Sequence, residues 1–92
     1  MPTQEQIASI FENIGESTLL MDGFEDAFIG HTRPMNQPIL AVYSYNKMVE
    51  TLVFRDGMNY EDASEYIEFN CIGAYIGEQT PIIVRDDDLD YL

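Results

Sequence analysis

Residues 39–45, ILAVYSY, constrain the fold more than any other stretch of the chain. They are rich in β-branched and aromatic types and apolar on both faces at the centre, which predicts a central strand with neighbours on each side. Residues 33–38, RPMNQP, precede it, and their two prolines exclude regular structure there. That segment reads as a loop or wide hairpin turn, with residues 25–32, EDAFIGHT, as the strand before it. Residues 81–84, PIIV, read as a short third strand whose proline favours an edge or a strand start.

Helical periodicity accounts for most of the rest. Thr3 and Gln6 have capping-box spacing, and Ile7, Ile10, Phe11 and Ile14 follow as one apolar stripe. With Gly15 placed for a left-handed C-cap, the first helix spans about residues 4–14. Asn46 is the expected cap of a second helix, with Met48, Val49, Leu52 and Val53 facing inward and Asp56-Gly57 as its stop. Asn59 caps a third, whose first turn holds Glu61 and Asp62 where the helix dipole favours acids. Its stripe runs through Ala63, Tyr66, Ile67, Asn70, Cys71 and Ala74.

The expected order is α-β-β-α-α-β. This is an α+β domain, with about three helices packed on a small, mainly antiparallel three-stranded sheet. One domain over residues 1–85 and an acidic tail over residues 86–92 account for the chain. Three strands are few to bury three apolar stripes, so a homodimer that extends the sheet or pairs the helices is a second expectation.

Charge narrows the partners. Across 92 residues, 17 Asp and Glu against 4 Lys and Arg give a formal net charge of −13. Polyanions such as nucleic acid and anionic lipid are disfavoured as direct partners. Neither a membrane span nor a signal-type apolar stretch stands out. Cys71 is the one cysteine, which excludes an internal disulfide and fits a core position.

Three stretches form a recognisable set: residues 22–30 (DGFEDAFIG), 37–45 (QPILAVYSY) and 65–84 (EYIEFNCIGAYIGEQTPIIV). In them the chain resembles a widespread family of small proteins encoded by tailed bacteriophages. The resemblance covers roughly residues 20–84, and F-N-x-x-G-A-Y-x-G-E-x-T-P is its most specific part. Tyr75 departs from it, standing where relatives often carry tryptophan. The resemblance implies a phage origin and action in the cytoplasm of an infected bacterial host. It implies no catalytic residue.

Three constellations remain to be weighed. Glu61, Glu65 and Glu68 share a helix face, with Asp62 beside them. Either this is a solvated surface or it docks a basic partner, in its most specific form as a mimic of nucleic acid. The three carboxylates span about 10 Å of helix axis, comparable to a short run of phosphates on one strand. Asp86, Asp88 and Asp90 have D-x-D-x-D spacing, but Tyr91 stands where a calcium loop needs glycine. They and Tyr91 read instead as a tail that could grip a partner. Tyr43, Tyr45 and Tyr75, with Gly77 and Thr80, could line a small-molecule pocket, if one of Arg33, Arg55 and Arg85 reaches it for a phosphate.

Catalytic motifs are missing from the sequence. His31 is the sole histidine, no serine has a nucleophile-elbow context, and no phosphate-cradling glycine motif occurs. No metal and no cofactor are expected. The sequence therefore favours a non-enzymatic binder or modulator of a host protein, approached through that protein's basic surface. The alternatives are an oligomeric protein that binds or sequesters a nucleotide, and a minor virion component.

Overall fold

A computed structural model describes residues 2–16, 18–72 and 77–86. Among these residues, helix α1 (Gln4–Ile14) leads through a 3-10 turn (Glu25–Ala27) into strand β1 (Phe28–Thr32) and strand β2 (Leu40–Ser44). Helix α2 (Tyr45–Asp56), helix α3 (Tyr60–Ile67), a π-helical segment (Glu68–Ile72) and strand β3 (Ile82–Val84) complete the order. The α+β class and the element order agree with the sequence reading. No helix among the described residues is long and apolar enough to cross a membrane.

Strand β2 is central, as its two-faced apolar character requires. It pairs antiparallel with β1 over four residue pairs and parallel with β3 over three. The parallel pair needs a crossover, which α2 and α3 supply. β3 lies at the edge, where its preceding proline costs no ladder bond. A bulge between Phe28 and Gly30 shifts the β1 register by one residue.

The core lies between one sheet face and the helices. Ala41, Tyr43 and Tyr45 meet Ile7 and Phe11 of α1, Met48, Val49 and Leu52 of α2, and Ala63 and Ile67 of α3. Phe11, Phe28 and Tyr43 form an edge-to-face series with centroids 6.2 and 5.7 Å apart. Tyr43 is fully buried, and its hydroxyl accepts from the Met21 N–H at 2.8 Å. Burial pushes its phenol pKa up against the lowering effect of that bond.

Four local expectations change. The segment over residues 25–32 begins as a 3-10 turn, so the strand starts only at Phe28. Ser44, not Asn46, caps α2: its side chain accepts from the Lys47 N–H, and no loop separates strand from helix. Ile10 and Ile14 are exposed because α1 meets the sheet along the Ile7–Phe11 ridge alone. Tyr66 and Asn70 are also exposed, leaving Ala63, Ile67 and the half-buried Cys71 as the inward row of α3 and the π segment. Ala74 lies outside the described residues.

Candidate protein-binding face

Helix α3 begins where Asn59 accepts from the Asp62 N–H at 2.8 Å, and Glu61 and Asp62 sit against the positive end of its dipole. At ~100° per residue, Ala63 and Ile67 fix the buried side, and Glu61 and Glu65 fall on the far side. Glu61, Asp62, Glu65 and Glu68 are all exposed. Among the described residues, Glu68 is the one of these four with a cation partner, Arg85 at 3.4 Å, with both side chains about half exposed. An ion pair this open contributes little stability.

Sequence reasoning missed the aromatic residues among these acids. Phe69 is 79% exposed, next to Glu68 and four residues on from Glu65. Tyr60, Tyr66 and Ile72 extend the apolar share of the surface. The signal was present in the sequence: Phe69 falls off the i, i+4 row of Ala63, Ile67 and Cys71, so it could not join the core with them. The π-helical segment, which carries Glu68, Phe69 and Ile72, displaces these side chains from ideal α spacing.

The expected aromatic pocket is not assembled. Tyr43 and Tyr45 are core residues at 0% and 2% exposure, so neither ring can stack on a ligand. The Arg85 guanidinium lies 4.0 Å from the centroid of the Tyr45 ring. Thr80 donates its hydroxyl to the Gly77 carbonyl at 2.7 Å, closing a turn. Tyr75 lies outside the described residues. The three arginines have acidic partners: Arg33 pairs with Glu16, Arg55 with Asp56 and Arg85 with Glu68. Arg55 also donates to the Gly23 carbonyl.

Open grooves lie elsewhere among the described residues. One of about 510 Å³ runs along α2, between Lys47, Thr51, Phe54 and Arg55, with Pro2 and Asp26 at its margin. Another, about 290 Å³, lies between Asn36, Gln37, Pro38 and Glu78. Neither holds a buried charged group aimed inward.

Asp86 is a clasp rather than a free tail residue. Its carboxylate accepts from the Ser44 hydroxyl and from the Asn46 N–H at 2.9 Å. Burial raises its pKa. The bonds from Ser44, Asn46 and its own N–H, with the Lys47 charge, outweigh that and hold the carboxyl below its ordinary value. Asp88, Asp90 and Tyr91 lie outside the described residues. His31 is exposed, its ring edge-on to Phe11 at 5.7 Å. The Cys71 thiol is pushed up by burial, away from the thiolate that a nucleophile needs. Among the described residues, no three His, Cys, Asp or Glu side chains gather closely enough to hold a metal ion.

No protein-family model, curated protein or solved structure matches the chain.

Proposed function

We propose that this protein is a non-enzymatic binder that presents the outer face of α3 and its π segment to the basic surface of a partner protein. The observation that carries the reading is Phe69, 79% exposed beside the unburied carboxylates of Glu65 and Glu68. An exposed aromatic ring rimmed by acids suits a partner with an apolar pocket edged by Lys or Arg. The ring would supply binding energy, and the acids steering and register. In an infected bacterium, the setting implied by the phage resemblance, the partner is a host protein whose basic surface ordinarily meets nucleic acid. Glu61, Glu65 and Glu68 then stand where phosphates would.

The test is capture from bacterial lysate on immobilised protein, at low and moderate salt. The expected result is one dominant basic partner. It should be lost at the higher salt, lost with Glu61, Glu65 and Glu68 all changed to Lys, and weakened by Phe69→Ala. Both variants should keep the parent helical circular dichroism. A partner retained by the triple variant overturns the reading.

A further inference from the structure

Two of the chain's arginines settle in the same surroundings, against an aromatic ring and beside a carboxylate. The Arg85 guanidinium lies 4.0 Å from the centroid of the Tyr45 ring, and one of its nitrogens is 3.4 Å from a Glu68 oxygen. Arg55 lies 6.0 Å from the Phe24 centroid, and two of its N–H groups donate to the two carboxylate oxygens of Asp56 at 2.9 and 3.0 Å. The head group accounts for this. A guanidinium is flat and weakly hydrated, so its face lies on a ring while its in-plane N–H groups reach a carboxylate. An ammonium is compact and strongly hydrated, and gains less from the ring.

The outer face of α3 and its π segment presents the same two ingredients. Phe69 stands four residues on from Glu65, and Tyr66 four on from Asp62, so each ring shares a side of the helix with a carboxylate. Phe69 is 79% and Tyr66 45% exposed, and Glu65 and Asp62 are exposed with them. Among the described residues, no Lys or Arg pairs with Glu61, Asp62 or Glu65, and no guanidinium lies over Tyr66 or Phe69. Glu68, on the same face, is the acid that holds Arg85. These rings and acids are open to a cation from outside the chain.

We propose that the partner protein meets this face with arginine, not lysine: its guanidinium planes lie on the Phe69 and Tyr66 rings while their N–H groups reach Glu65 and Asp62. The inference rests on the docking role proposed above and names the chemistry of its partner. The pocket that takes Phe69 is then walled by arginine side chains, whose methylene stems and flat heads offer the ring apolar contact. Charge selects the occupant. A −13 chain repels a second copy of itself and any polyanion, and draws a cationic segment of another protein. The rings select among cations, because charge alone would draw lysine as well.

Fluorescence anisotropy of labelled nona-arginine and nona-lysine, titrated with the full chain at low and moderate sodium chloride, tests this. The two peptides carry equal charge, so a difference between them reports the head group. The expected result is about tenfold tighter binding of nona-arginine. Changing Tyr66 and Phe69 together to Leu should cut that preference to about threefold or less, and leave nona-lysine binding within about twofold of the parent. Phe69→Leu alone should cut it part of the way, and Phe69→Trp should keep it. Glu61→Gln, Glu65→Gln and Glu68→Gln combined should weaken both peptides. Circular dichroism confirms that each variant is folded. Equal affinities for the two peptides in the parent chain overturn the inference, and so does a preference that survives loss of both rings. Glutamate-dependent binding without arginine preference overturns it while leaving the basic-surface docking in place, whereas binding of neither peptide overturns both.

Discussion

The Ser44 hydroxyl donates to the Asp86 carboxylate while its oxygen accepts from the Lys47 N–H at 3.1 Å. One fully buried side chain therefore ends β2, caps α2 and holds the residues after β3. Ser44→Ala removes the cap and leaves Asp86 with one fewer donor. The expected loss is about 1–3 kcal/mol of unfolding free energy. Urea denaturation measures it, and a change below about 0.5 kcal/mol would reject the clasp.

Acid should weaken the same contact. The Asp86 pKa is lowered in the folded state, so its stabilisation is present above the unfolded value of about 3.9 and lost as pH falls through the lower folded value. The stability gap between the parent and Asp86→Asn should therefore narrow as the solution is acidified below about pH 4. Comparing the two chains across pH cancels the common contribution of the other acids. A gap constant from neutral pH down to about pH 2 would contradict the assignment.

Tyr43 offers a contrast between packing and hydrogen bonding. Tyr43→Phe keeps the edge-to-face series but leaves the Met21 N–H without its acceptor, at an expected cost of about 1–2 kcal/mol. Tyr43→Ala should cost about 3–5 kcal/mol, because it also opens a cavity beneath Phe28. Equal costs in thermal or urea unfolding would remove the hydroxyl from the account.

Added salt should raise the melting temperature of the monomer. The chain carries −13, and among the exposed acids of the α3 face Glu68 pairs with Arg85, so repulsion falls as the screening length shortens. Glu65→Lys should change stability by no more than about 0.5 kcal/mol, in the stabilising direction. A melting temperature flat from low to high sodium chloride would show that the acids are already neutralised.

Local chemistry was legible in the sequence where the signal lies within one turn. Thr3 and Gln6 form the expected capping box, Gly15 takes the left-handed C-cap, and Asn59 caps α3. β2 was identifiable as central because its apolar residues run without alternation. What stayed hidden depends on residues distant in sequence. Asp86 reads as the first residue of an acidic run, and only the parallel pairing of β3 with β2 brings it to Ser44. Tyr43 and Tyr45 suggested a ligand site because aromatic residues serve cores and pockets equally well. Their burial is decided by which sheet face the helices cover. The exposure of Phe69, by contrast, was readable, because it falls off the i, i+4 row of Ala63, Ile67 and Cys71.

The order in which the sheet assembles follows from its connectivity. β1 and β2 are joined by a short loop, so their pairing closes little chain. β3 can join β2 only after α2, α3 and the π segment have been threaded between them. The edge strand is therefore the last part of the sheet to zip and the first to peel away. Amide exchange and proteolytic nicking should both begin around residues 82–86, leaving the hairpin and α2 as the slowest unit to open.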